Sequence, residues 1–76
     1  MLDIPGGDTV NYRLMGAKIR RARKRMGLSQ ESFAELLGLS AAFVGHIERG
    51  TRIASIETLR RICKATGLSA DNLLEV

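Results

Sequence analysis

The triplet Gly-Leu-Ser occurs three times in this sequence, at residues 27–29, 38–40 and 67–69. Glycine favours the left-handed conformation that ends many helices, because it has no Cβ to clash there. Serine favours the N-cap, because its hydroxyl accepts a hydrogen bond from a backbone N–H that has no helical partner. Each triplet therefore predicts one helix joined directly to the next. The intervening leucine can pack against the fourth residue of the following helix, and these fourth residues are all apolar: Phe33, Val44 and Leu73.

Two further signals complete the set of helices. Ser55, with Glu57 in the first turn, predicts another helix start, and Gly50 predicts the end of the helix before it. We therefore predict five helices, at residues 13–26, 30–37, 41–49, 56–66 and 70–75. Apolar residues recur at helical spacing, as at Met15, Ile19, Ala22 and Met26, and no segment alternates with the period of a β-strand. The predicted fold is all-α, a compact five-helix bundle.

The length of 76 residues fits one domain with a small core. Residues 1–12, which include Pro5, Gly6 and Gly7, are predicted to form a flexible leader, and residues 13–76 the folded domain. There is no apolar run of the ~20 residues that a membrane span needs. The first residues do not show the basic and then apolar run of a signal peptide. We therefore expect a cytoplasmic protein of prokaryotic or phage type.

Cys63 is the only cysteine, which excludes an internal disulfide and a cysteine cluster for zinc. It falls on a helical stripe with Ile56, Leu59 and Thr66, beside Ile62, so we expect a small core residue rather than a reactive thiol.

Basic residues are concentrated in the first predicted helix. The chain has 12 Lys and Arg against 8 Asp and Glu, and the stretch 13–25 contains seven basic residues and no acidic one. Such a run indicates a solvated helix face, a nucleic-acid patch or an acidic-membrane surface. The membrane interpretation is disfavoured because the apolar stripe of this helix is needed by the core and has no Trp or Phe. Three aromatic residues in the whole chain are too few to stack a single strand.

The second and third predicted helices are joined by only residues 38–40. Such a tight turn makes two helices cross steeply, and Ala34 is small enough for the contact. The inward set is Phe33, Leu37, Leu39, Val44 and Ile47. The outer face of the third helix then carries Ala41, Ala42, Gly45, His46 and Arg49. A helix with such a slim outer face can enter the major groove of DNA.

This sequence resembles the Cro-type, lambda-repressor-like helix-turn-helix proteins, also called the XRE family, which are bacterial and phage transcription regulators. The matching residues are 28–40 (LSQESFAELLGLS), 47–50 (IERG), 55–59 (SIETL) and 67–74 (GLSADNLL). The resemblance covers roughly residues 14–74 and implies a sequence-specific, double-stranded DNA-binding regulator, a repressor acting as a homodimer. The alternative is a protein-binding module on the same fold, such as an antitoxin of a toxin–antitoxin pair. A long extension able to wrap a toxin would favour that alternative, and the sequence does not show one.

The resemblance also implies roles for individual residues. The recognition helix would face bases through Ala41, Ala42, Phe43, Gly45 and His46. Phosphates would be contacted by Gln30, Ser40, Arg49, Thr51 and Arg52. Arg23 and Glu48 would form an ion pair that joins the first helix to the end of the third. The alternative is that Arg23 is one more exposed basic residue of the stretch 13–25.

Several of these residues have other interpretations. Phe43 fits a DNA contact, the edge of the core or a partner contact, and His46 fits an exposed histidine without a role. Alanine can contact a thymine methyl but cannot form a bidentate hydrogen bond, so His46 is the groove-facing side chain with a donor suited to guanine. Leu73, Leu74 and Val76 are candidates for the dimer contact, or else they close the core.

Other function classes lack their residues in this sequence. There is no Ser/His/Asp set, no pair of carboxylates suited to a catalytic cleft and no phosphate-binding glycine loop, so we do not expect an enzyme. His46 has no second histidine or cysteine at ligand spacing, and we expect no metal and no cofactor. No sensor domain is visible, so no small-molecule effector is inferred.

Overall fold

A computed structural model describes residues 10–74 of the chain. This part contains five α-helices and no strand: α1 (Tyr12–Arg25), α2 (Gln30–Leu37), α3 (Ala41–Arg49), α4 (Ile56–Thr66) and α5 (Ala70–Leu74). The predicted all-α five-helix bundle is confirmed, and the predicted bounds of α2, α3 and α4 agree with the structure. None of the helices in this range is long and apolar enough to cross a membrane.

The N-terminal boundary lies earlier than the sequence indicates. Asn11 is the N-cap of α1, and its side chain accepts a hydrogen bond from the backbone N–H of Leu14 at 3.0 Å. Val10 and Tyr12 pack against the core. Residues 10–12 therefore belong to the folded part, whereas the rest of the predicted leader, residues 1–9, lies outside the described residues.

Local capping explains why the helices begin and end where they do. The side chains of Ser29, Ser40 and Ser55 each accept a hydrogen bond from a backbone N–H three residues later, at 3.0, 3.1 and 3.1 Å. Gly38 follows α2 with a φ of 72°, in the left-handed region that glycine enters without penalty. Because both signals act within a few residues, they can be predicted without knowledge of the packing.

The core is formed by one face of each helix. The most deeply buried large side chains are Phe33, Ile19, Ile62, Leu73 and Val44. Ala34 is buried as predicted, and α2 packs against α3. Cys63 is half-buried and packs against this core, as expected for a small core residue.

Two predicted core residues are exposed. Met26 is 39% exposed because it lies at the C-cap, one residue beyond α1. Ile56 is 74% exposed, because α4 buries Thr58 and Ile62. Residues i and i+2 of a helix, such as Ile56 and Thr58, point in nearly opposite directions.

Two glycines allow α1 to cross the end of α3 at close range. A Cβ on Gly16 would overlap the backbone carbonyl oxygens of Ile47 and Glu48. A Cβ on Gly50 would lie 2.8 Å from the Cα of Arg13, at a position where φ is already +76°. This contact places the basic face of α1 beside the last turn of α3.

Candidate nucleic-acid interface

The outer face of α3 is only partly open to solvent. Ala42 is exposed, Ala41 and His46 are half-buried, and Gly45 is buried. Phe43 is half-buried and packs against the core, which favours the core-edge interpretation among the three that its sequence position allows. Of the five residues expected to face bases, Ala42 is therefore exposed, and Ala41 and His46 are partly accessible.

Gly45 is covered by an arginine from the next turn. A Cβ built on Gly45 would lie 3.0 Å from Nη1 of Arg49 and 3.7 Å from Cζ and Nη2. The guanidinium of Arg49 therefore lies along the outer face of α3, where any larger residue at position 45 would push it aside. Sequence reasoning assigned Arg49 to phosphate, whereas its donors lie beside a position expected to face bases.

Thr51 contacts His46 rather than pointing freely into solvent. Its Oγ1 lies 2.9 Å from Nδ1 of His46 and donates to the carbonyl oxygen of His46 at 3.2 Å. The backbone N–H of Thr51 donates to the same carbonyl at 2.9 Å. Both donors of Thr51 are thus used within the protein, so the phosphate contact expected of Thr51 would require its hydroxyl to turn away from α3.

Arg23 and Glu48 form a buried ion pair. Arg23 Nε donates to Glu48 Oε2 at 2.6 Å, and Arg23 Nη2 donates to Glu48 Oε1 at 3.1 Å. The third nitrogen, Nη1, donates to the carbonyl of Leu28 at 2.8 Å. The hydrogen bonds that Arg23 donates to the Glu48 carboxylate raise the pKa of Arg23 above its ordinary value, so the guanidinium stays charged. Arg23 is therefore not one more exposed basic residue of the stretch 13–25.

Gln30 joins this pair. Its Nε2 donates to Glu48 Oε1 at 3.0 Å, so the first residue of α2 is tied to the last turn of α3. Sequence reasoning missed this contact and assigned Gln30 to phosphate alone. Glu48, as the only acidic residue of α3, was the available signal for a polar partner. The Nε2 group has a second hydrogen, so one donor remains for a phosphate.

A basic groove runs between α1 and the end of α3. Its volume is about 1100 Å³, and we refer to it as the basic groove. Five cationic residues line it: Arg13, Arg20, Arg21, Lys24 and Arg49. Glu48 is the only carboxylate in the lining, and its charge is already paired with Arg23.

The structure thus divides the basic run of residues 13–25. Arg13, Arg20, Arg21 and Lys24 face the basic groove, Arg23 is buried in the ion pair, and Nζ of Lys18 donates to the carbonyl oxygen of Asn72 at 2.7 Å. Such a cluster of cations beside a slim helix face can hold a phosphate backbone while the helix contacts base edges.

Known proteins share this arrangement of helices. The family profile described as Helix-turn-helix matches residues 19–73. The HTH-type transcriptional regulator YazB of Bacillus subtilis is 40% identical over 60 residues, which are 79% of this chain and 87% of that protein. Control protein C.BamHI of Bacillus amyloliquefaciens is 38% identical over 69 residues, which are 88% of this chain and 85% of that protein.

Solved structures agree with these relatives. The restriction-modification controller protein C.AhdI from Aeromonas hydrophila superposes with a TM-score of 0.74 at 34% identity, over 82% of this chain and 94% of that one. The P22 c2 repressor, solved in complex with a synthetic operator, gives a TM-score of 0.75 at 32% identity, over 79% and 91%. The resemblance seen in the sequence is confirmed, and these relatives are regulators rather than enzymes. The chain belongs to the helix-turn-helix family of transcriptional regulators.

Proposed function

We propose that this protein binds double-stranded DNA as a homodimer and regulates transcription as a repressor, with α3 in the major groove. The observation that carries this proposal is the slim outer face of α3 lying directly beside the basic groove. The P22 c2 repressor, which shares the fold, was solved on an operator. The names of the relatives are those of regulators and control proteins, so the antitoxin alternative gains no support. We place the protein in the cytoplasm, on the nucleoid or on phage DNA.

Phosphates are held by groups that flank α3. Ser40 accepts the N–H of Phe43 at 3.1 Å, which leaves its hydroxyl hydrogen to donate to DNA. Gln30 donates its remaining amide hydrogen to a phosphate, and the exposed side chain of Arg52 is available for another. The N-termini of α2 and α3 add backbone N–H groups and the favourable end of the helix dipole. These contacts fix the register of the protein on DNA without reading its sequence.

Bases are read by few side chains. Ala42 can contact a thymine methyl, and the ring of His46 can form one hydrogen bond. Gly45 lets the guanidinium of Arg49 lie close to α3, on the face that would enter the major groove. With so few direct contacts, DNA shape and half-site spacing must supply part of the specificity.

We place the contact between protomers on exposed apolar residues near the C-terminal half. Leu73 is 1% exposed and closes the core, so this predicted dimer residue is unavailable, and Val76 lies outside the described residues. Leu74 is 44% exposed, and Ile53 and Ile56 are 65% and 74% exposed. A two-fold dimer sets two recognition helices ~34 Å apart. We therefore expect a pseudo-palindromic binding site, and Ile56→Glu to shift the protein toward a monomer in sedimentation.

The deciding experiment combines selection of bound fragments from genomic DNA with a salt titration. If each protomer neutralises ~3 phosphates, the dimer gives a log–log salt slope of roughly −5. His46→Ala should relax base preference at one position per half-site and keep this slope. Arg52→Ala should weaken all sequences alike and flatten the slope by roughly 2, because two phosphate contacts are lost per dimer.

Arg60→Ala is the matched control for Arg52→Ala. Arg60 is also an exposed arginine, but it lies on α4 and does not line the basic groove. It should change neither the selected motif nor the slope. Recovery of unrelated fragments with no common motif, together with a slope near zero, would contradict the proposed function.

A further inference from the structure

His46 and Thr51 form a closed arrangement at the end of α3. Thr51 follows the helix cap Gly50, so the chain has turned back and its side chain lies against the last turn. Oγ1 of Thr51 is 2.9 Å from Nδ1 of His46 and 3.2 Å from the carbonyl oxygen of the same residue. One hydroxyl therefore contacts both the ring and the backbone of His46.

For a neutral imidazole, the two contacts can form together in only one tautomer. A threonine hydroxyl has a single hydrogen, and a carbonyl oxygen can only accept. When the hydroxyl donates to the carbonyl of His46, Oγ1 can only accept from the ring, so Nδ1 must carry the hydrogen. A neutral imidazole with its hydrogen on Nδ1 has a lone pair on Nε2. The opposite tautomer would keep the ring contact and lose the bond to the carbonyl.

We propose that Thr51 sets the tautomer of His46, so that Nε2 enters the major groove as a hydrogen-bond acceptor. This rests on the proposed function of α3. An acceptor selects a base whose major-groove edge has an exocyclic amine, which is N6 of adenine or N4 of cytosine. This proposal differs from the expectation from sequence that His46 donates to guanine. Thr51 is a positioning residue here, since it acts through the ring and not on the base.

The tautomer can be measured without DNA. His46 is the only histidine, so a long-range ¹H–¹⁵N spectrum of the untagged chain contains one imidazole. At a pH where the spectrum itself shows a neutral ring, the wild type should show the hydrogen on Nδ1. Thr51→Ser keeps the hydroxyl and should keep this pattern. Thr51→Val has nearly the same shape without the hydroxyl and should move the hydrogen toward Nε2. A wild-type spectrum with the hydrogen on Nε2 would overturn the proposal.

The base preference gives an independent readout. The position read by His46 is the one at which His46→Ala loses selectivity, and all four base pairs are compared there. The wild type and Thr51→Ser should lose about tenfold in affinity when the exocyclic amine is removed from the adenine or cytosine of that base pair, and Thr51→Val should be insensitive to its removal. A wild type that tolerates removal of the amine, or an equal loss of affinity in Thr51→Val, counts against the proposal. Absence of any sequence preference would instead refute the proposed function, while the spectrum would still decide the tautomer.

Discussion

Breaking the buried ion pair between Arg23 and Glu48 should be among the most damaging changes to this fold. The side chains are 8% and 1% exposed, and they are joined by two hydrogen bonds. Arg23→Met would leave the carboxylate of Glu48 buried with only the amide of Gln30 as a partner. Glu48→Leu would leave the guanidinium with only the carbonyl of Leu28. Each single substitution therefore strands a charge in a poorly solvated place.

The size of the effect follows from that burial. Removing one partner of a buried pair costs about 3–5 kcal/mol, whereas replacing both partners by apolar residues is often close to neutral. A domain of this length has a free energy of unfolding of roughly 4–11 kcal/mol. Either single variant should thus lose a large part of its stability, while Arg23→Met combined with Glu48→Leu should recover most of it. The coupling energy of the double-mutant cycle should be several kcal/mol.

The assay is urea unfolding of the four proteins, followed by far-ultraviolet circular dichroism. The chain supplies its own control, because Glu57 and Arg61 form an exposed pair on α4, with 3.8 Å between Oε2 and Nε and side chains that are 70% and 51% exposed. A cycle on this pair should give no more than about 0.5 kcal/mol. A coupling below about 0.5 kcal/mol for Arg23 and Glu48 as well would refute the reasoning, since burial would then confer no advantage.

Two further predictions concern single positions. Gly16→Ala should destabilise the fold by about 2 kcal/mol or more in urea unfolding, because its Cβ meets backbone carbonyls that cannot move aside. The control is Gly27→Ala, which has open space but a φ of +75° and should lose only about 1–2 kcal/mol. A smaller loss of stability for Gly16→Ala than for Gly27→Ala would contradict the packing argument. Burial raises the pKa of the Cys63 thiol, so alkylation by iodoacetamide near pH 8 should be slower than that of glutathione, and an equal or faster rate would contradict the core assignment.

The helices could be predicted because their boundaries depend on neighbouring residues. Each predicted serine cap is bonded to a backbone N–H only three residues away. The rotation of a helix about its axis depends on packing instead. The apolar residues of α4 allow more than one buried stripe, and burial of Thr58 and Ile62 turns Ile56 to solvent. The sequence pattern alone does not choose between these rotations.

The side-chain partners at the interface could be predicted only in part, because they lie far apart in the sequence. Pairing of Arg23 with Glu48 was implied by family resemblance, but the bond from Gln30 to the same carboxylate spans 18 residues and depends on how α2 meets α3. The crossing of α1 and α3 depends on Gly16, whose importance appears only once the carbonyls of Ile47 and Glu48 lie above it.

These contacts decide which donors remain for DNA. A residue type suited to phosphate, such as Thr51, is no longer a free donor once both of its hydrogens are used by His46. Conversely, Arg49 gains a place on the outer face of α3 because Gly45 has no side chain to block it. The residue types of a recognition helix therefore determine which base contacts are chemically possible. The contacts that fix each side chain determine which of those base contacts the protein can form.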